Sequence, residues 1–109
     1  MKNAFVIYKY ELPLGGEKEY TGRFNQFLKA GEQDGKLVLW TENFLDESEP
    51  TDTISFLVVG TGWKYIKITS GSYLKYVDTV QMSDGLVWHI FARLPDRFWE
   101  TVICRGVHI

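Results

Sequence analysis

The sequence predicts a mainly β protein, a small antiparallel β-sandwich or barrel of about seven strands with at most one or two short helices. The first observation behind this prediction is that an Asp-Gly pair stands between two apolar, β-prone runs at two places, Asp34-Gly35 and Asp84-Gly85. A two-residue type I′ turn needs φ > 0 at both central residues, and Asp-Gly adopts that conformation at little cost. The second observation is that further short β-prone runs recur along the whole chain.

The first strand is expected over residues 4–12, where apolar and aromatic side chains alternate with polar ones. It ends at Pro13, and Gly15-Gly16 then opens a turn. Residues 17–25 are polar apart from a Tyr and a Phe spaced by four. A short strand is expected there, and one helical turn is the alternative.

The two-residue loop of the first hairpin fixes its register, which places Ala30 opposite Leu39. The same register places Leu28 opposite Thr41. The stretch from Leu37 to Trp40 is apolar at every position, so both of its faces carry apolar side chains. It is therefore expected to be a central strand covered on both faces, or a contact between copies of the chain.

The middle of the chain is predicted to be a polar loop followed by a strand. Asn43–Asp52 is acidic and has the composition of a solvated connection. Ile54–Val59 is expected to be a strand, which ends at Gly60-Thr61-Gly62. Trp63–Ser72 mixes aromatic, aliphatic and basic side chains and is expected to form a strand or an ordered loop.

Residues 1–109 are predicted to form a single domain with a β core at 4–94 and a C-terminal extension at 95–109. Within that extension, Asp96–Thr101 is expected to form one helical turn before a terminal strand at Val102–Val107. A domain of 109 residues is long enough to bury a core without a metal or a disulfide.

Composition limits the classes of function. The chain has 12 basic and 14 acidic residues and no segment that concentrates Lys and Arg, which disfavours nucleic-acid binding. The single cysteine, Cys104, can form neither an intramolecular disulfide nor a Cys-pair zinc site, which indicates a reducing compartment. No apolar run approaches the ~20 residues of a membrane helix, and the amino terminus does not resemble a signal peptide. We therefore expect a soluble, cytoplasmic protein without membrane contacts.

His89 is the strongest single candidate for chemistry. A two-residue turn at Asp84-Gly85 would place it opposite Val80 and diagonal to Asp78. An Asp beside a His can orient the imidazole for proton transfer in a hydrolase or transferase. The chain has no Ser at a nucleophile elbow and no second His outside its last two residues. We therefore expect no catalytic residue, and His89 to be a structural or ligand-contacting side chain.

Gly60-Thr61-Gly62 is the second candidate. Its backbone amides can approach an anion closely, and Lys64 and Lys67 follow shortly after. It matches neither a Walker loop nor a dinucleotide fingerprint, so a tight turn or bulge is the alternative, and no cofactor or metal is expected. The ring of Trp63 is expected either to be exposed for stacking on a base or a partner side chain, or to cover the core. Trp88 is expected in the core.

Several short motifs follow one another in order along residues 4–92. They are Tyr8-Lys9-Tyr10-Glu11-Leu12, GKLVLW from Gly35, VGTG from Val59, Tyr76 with Thr79-Val80-Gln81, and VWHIF from Val87. Together they resemble an uncharacterised family of small bacteriophage and prophage proteins without an assigned activity. In that family a histidine commonly follows the GTG, whereas Trp63 stands here, so a shared two-histidine site is not implied.

These observations favour a small phage-type accessory protein that acts by non-enzymatic binding in the bacterial host cytoplasm. It would inhibit a host defence or regulatory factor, or sequester a small anionic, nucleotide-like ligand. The expected binding residues are Gly60, Thr61, Gly62, Trp63, Lys64, Lys67, Asp78 and His89. One alternative is an assembly protein that forms a homo-oligomer through its β edges. The last alternative is a hydrolase or transferase dependent on His89 and Asp78.

Overall fold

The computed structural model describes residues 4–95, and in this part of the chain eight strands and no helix are present. The strands are β1 (Phe5–Leu12), β2 (Gly16–Gly22), β3 (Phe24–Gln33), β4 (Lys36–Phe44), β5 (Asp52–Gly60), β6 (Ile68–Thr69), β7 (Ser72–Gln81) and β8 (Val87–Pro95). The predicted all-antiparallel β architecture is therefore confirmed. The helical turn and terminal strand expected after Pro95 lie outside the described residues.

The strands form two antiparallel sheets. A three-stranded sheet has the order β1-β4-β3, and a five-stranded sheet has the order β2-β5-β8-β7-β6. Residues 17–25 belong to β2 and the start of β3, which confirms the expected strand. The acidic stretch between β4 and β5 is a loop, also as expected. Among the described residues there is no helix with the length and apolarity needed to span a membrane.

The first hairpin has the predicted turn. Asp34 and Gly35 both adopt positive φ, 54° and 78°, and Ala30 lies opposite Leu39. Further from the turn, an irregularity in β3 between Phe27 and Lys29 shifts the register. Phe27 therefore lies opposite Thr41, and the expected pairing of Leu28 with Thr41 is wrong.

The loop of the second hairpin is one residue longer than predicted. Gly85 adopts φ 90° but Asp84 has no positive φ. The Gly85 N–H donates to the Met82 carbonyl at 2.9 Å, and the Met82 N–H donates to the Leu86 carbonyl at 2.8 Å. This is a type I turn followed by a left-handed glycine, which closes a three-residue loop. His89 consequently lies opposite Thr79, and the expected pairing with Val80 is wrong.

The core lies between the two sheets. Its completely buried side chains include Leu37 and Leu39 of β4, Phe56 and Val58 of β5, and Ile90 of β8. Trp88 belongs to the same cluster, as predicted. Successive residues of a strand point to opposite faces, so Val59, Leu74 and Phe91 form a second, smaller cluster on the other face of the five-stranded sheet.

The central strand β4 is covered on both faces over its first half. Leu37, Val38 and Leu39 are all buried, although Val38 lies on the face away from the other sheet. On that outer face the Trp40 ring extends over Gly31, where a Cβ atom would lie 3.3 Å from it. The prediction of a central strand is therefore confirmed.

Candidate functional site

Most of the predicted binding residues lie in the β5–β6 loop, residues 61–67, at one end of the five-stranded sheet. The loop begins with a β-turn in which the Trp63 N–H donates to the Gly60 carbonyl at 3.1 Å. Gly62 occupies the third position of this turn with φ 89°, a conformation that glycine adopts without strain. Gly60-Thr61-Gly62 is thus a tight turn, which was one of the two interpretations of this motif.

Trp63 lies directly beside this turn. A Cβ atom on Gly60 would lie 2.9 Å from the indole Nε1, so the absence of a side chain at Gly60 gives the ring its place. The ring meets Trp88 edge to face, with centroids 5.5 Å apart and planes at 85°. Trp63 nevertheless remains 52% exposed. One side of the indole therefore covers the end of the core, while the other side is available for contact.

His89 connects the turn to the sheet. Its Nε2 lies 2.8 Å from the Thr61 hydroxyl, and its Nδ1 lies 3.0 Å from the Thr79 hydroxyl. The Tyr76 hydroxyl extends the chain of hydrogen bonds, 2.7 Å from that of Thr79. A hydroxyl can donate or accept, so these contacts suit either tautomer of the imidazole. His89 is therefore a positioning residue for the β5–β6 loop.

Asp78 does not reach His89. His89 pairs with Thr79, so the preceding residue, Asp78, points to the opposite face of the sheet. There its carboxylate accepts the Ala30 N–H at 2.9 Å and the Thr79 N–H at 2.8 Å. The expected diagonal His89 and Asp78 pair is wrong, and Asp78 instead connects β7 to β3 across the two sheets.

The rest of the loop exposes large apolar side chains. Tyr65 packs on Phe91 of the sheet, with ring centroids 4.9 Å apart, and still remains 44% exposed. Ile66 and, at the start of β6, Ile68 are 70% and 69% exposed. These three residues were not among the expected binding residues, although aromatic and aliphatic side chains recur after the glycine turn, separated by Lys64 and Lys67.

Lys64 and Lys67 are interspersed among these apolar side chains. Both are exposed, and neither forms an ion pair within residues 4–95. In the same part of the chain no group of three or more His, Cys, Asp or Glu side chains could hold a metal ion. The loop therefore offers apolar side chains with positive charges between them.

The chain is an all-β, two-sheet domain that presents an anchored aromatic loop at one end. Over residues 4–99 it matches the family described as "Domain of unknown function (DUF7352)", and it belongs to that family. No curated protein and no solved structure matches the chain.

Proposed function

We propose that this protein is a non-enzymatic binding protein whose β5–β6 loop, together with Ile68, docks on another protein. The observation that carries the proposal is that Trp63, Tyr65, Ile66 and Ile68 are each between 44% and 70% exposed in one continuous segment. Isolated exposed apolar residues are normal, but a contiguous apolar patch is typical of an interaction surface.

The loop is anchored even though it is exposed. The hydrogen bond between Thr61 and His89 holds its start, and the contact of Tyr65 with Phe91 holds its middle. A surface that is already ordered loses less conformational entropy on binding. The anchors therefore support a recognition role for the loop.

The side chains of the loop also define the chemistry of the partner. Trp and Tyr are enriched among the residues that dominate binding energy, and the two isoleucines would fill apolar pockets. Lys64 and Lys67 would pair with acidic groups around such a pocket. The partner should therefore have an apolar depression with an acidic rim. The resemblance to bacteriophage proteins favours a bacterial host protein, such as a defence or regulatory factor that binding would inhibit.

A small anionic ligand is the second candidate. Lys64 and Lys67 lack ion-pair partners among the described residues and flank a half-exposed indole, on which a nucleotide-like base could stack. For His89 we propose no catalytic role, because threonine hydroxyls occupy both of its ring nitrogens.

The test is affinity capture from bacterial lysate with the wild-type protein and with Ile66→Asp and Ile68→Asp. Ile7→Asp is the matched control, because Ile7 is 61% exposed but lies on β1 of the other sheet. We expect a protein that the wild type and Ile7→Asp retain and that both loop variants lose. Retention of the same proteins by all four forms would contradict the proposal. Capture of nucleotides that depends on Lys64 and Lys67 would instead favour the second candidate.

A further inference from the structure

A cavity of about 450 Å³ opens between the two sheets at the end of β5 and β8 that lies away from the β5–β6 loop. Ligand pockets commonly span about 300–1,000 Å³, so this volume suits a small molecule. Apolar side chains of four strands line it among the described residues. They include Phe24, Phe27, Ile54, Val77 and Leu94.

Irregular strand geometry forms both walls of this cavity. On one wall β3 departs from regular pairing on both sides of Phe27. On the other wall β7 is irregular at Val77. Such bulges bend a strand and occur often beside functional sites. Where β3 becomes regular again, the hydrogen bond from the Ala30 N–H to Asp78 joins the two strands. Both walls of the opening therefore contain irregular backbone.

One wall of the cavity is aromatic. The rings of Phe24 and Phe27 lie edge to face with centroids 6.2 Å apart, and each also contacts the buried ring of Phe56. This packing fixes the ring edges and faces that border the cavity. Such a wall accommodates a flat aromatic group best, because aromatic pairs prefer offset or edge-to-face contacts.

The lining of the cavity includes two side chains of opposite charge, Lys75 and Asp52. Within residues 4–95 neither takes part in an ion pair, with each other or with another side chain. A ligand with one charge would be attracted by one of them and repelled by the other. A ligand with both charges and an apolar body would satisfy the whole site.

We propose that this cavity binds a small zwitterion with an aromatic body, that is, a free aromatic amino acid. Its ring would lie against Phe24 and Phe27. Its carboxylate would pair with the Lys75 ammonium, and its ammonium with the Asp52 carboxylate. This site is independent of the β5–β6 loop.

The experiment uses two-dimensional NMR titration of the full chain with three probes, phenylalanine, phenylacetate and phenethylamine. We expect shifts at the cavity residues, and phenylalanine binding about fivefold tighter than either singly charged probe, as exposed ion pairs contribute up to about 1 kcal/mol. In Lys75→Met, phenylalanine and phenethylamine should bind equally. In Asp52→Asn, phenylalanine and phenylacetate should bind equally.

Lys29→Met is the control, because it removes an exposed lysine of β3 that does not line the cavity, and it should leave all three affinities unchanged. The proposal is overturned if none of the probes shifts the cavity residues at millimolar concentration. It is equally overturned if Lys75→Met and Asp52→Asn leave the affinity ratios as in the wild type. Loss of partner capture by Ile66→Asp with unchanged phenylalanine binding would separate the two sites.

Discussion

Replacing Gly60 by alanine tests how the β5–β6 loop is anchored. The added Cβ would lie 2.9 Å from Nε1 and 3.0 Å from Cε2 of Trp63. The indole is rigid, so the whole ring would have to move, which would disturb its edge-to-face contact with Trp88. Gly60 has no positive φ, so its backbone suits alanine and strain in the main chain does not contribute.

Three contributions set the size of the change, two that destabilise the fold and one that stabilises it. An aromatic pair contributes about 0.5–1.5 kcal/mol beyond its buried area. Re-exposing about 40 Å² of apolar surface costs about 1 kcal/mol at about 25 cal/mol per Å². Replacing a strand glycine by alanine favours folding by about 0.5–1 kcal/mol. The free energy of unfolding should therefore fall by about 1 kcal/mol in Gly60→Ala.

The assay is urea unfolding followed by tryptophan fluorescence, in the wild type and in Trp63→Ala. Without the indole the clash disappears, so Gly60→Ala should be neutral or slightly stabilising in the Trp63→Ala background. The coupling between the two substitutions should be about 1–2 kcal/mol. An equal effect of Gly60→Ala in both backgrounds would refute the placement of the indole against Gly60.

Three further predictions concern neighbouring contacts. His89→Ala removes both threonine hydrogen bonds. It should therefore lower the free energy of unfolding by about 1–2 kcal/mol and speed amide exchange in the β5–β6 loop. Unchanged amide exchange would contradict the positioning role of His89. Asp78→Ala leaves the Ala30 N–H without its acceptor and should cost about 1–3 kcal/mol in urea unfolding, with partner capture retained. The hydrogen bond from Arg93, followed by that from Ser55, lowers the pKa of Glu17. A lowered pKa stabilises the fold above the unfolded-state pKa near 4.3, and this contribution is lost as the pH falls through the folded-state pKa. Because the Glu17 and Arg93 pair is partly exposed, Glu17→Gln should lower the free energy of unfolding by at most about 1 kcal/mol at pH 7. The stability of this variant should also depend less on pH below about pH 5. An unchanged dependence of stability on acid pH would contradict the lowered pKa of Glu17.

The sequence predicts the first hairpin more accurately than the second for a local physical reason. Asp-Gly fits the two positive-φ positions of a type I′ turn, as at Asp34-Gly35. It equally fits a type I turn followed by a left-handed glycine, as at Asp84-Gly85. The two loops differ by one residue, and one residue changes every cross-strand partner.

The candidate site could be predicted only in pieces. Thr61, Trp63 and His89 are recognisable in the sequence as separate candidates. The hydrogen bond between Thr61 and His89 and the ring contact between Trp63 and Trp88 both depend on the pairing of β5 with β8. This pairing places Gly60 opposite Trp88. That pairing joins two strands that are distant in sequence, and no local pattern specifies it.

The misplacement of Asp78 follows from the turn of the second hairpin. The longer loop places Thr79 instead of Val80 opposite His89, so Asp78 lies on the other face of the sheet. Further from the turn, a separate irregularity at Val77 adds a residue to β7. This bulge lies in one wall of the cavity, and no local sequence pattern predicts it. Bulges depend on packing between strands and are not encoded in alternation along a single strand.

Photo-cross-linking tests the central proposal most directly. A photoreactive amino acid would replace Ile66 in one form of the protein and Ile7 in another, both at exposed positions. We predict that, after illumination in bacterial lysate, the form labelled at position 66 is joined to one partner protein and the form labelled at position 7 is not. Equal cross-linking from both positions, or cross-linking from position 7 alone, would contradict recognition through the β5–β6 loop.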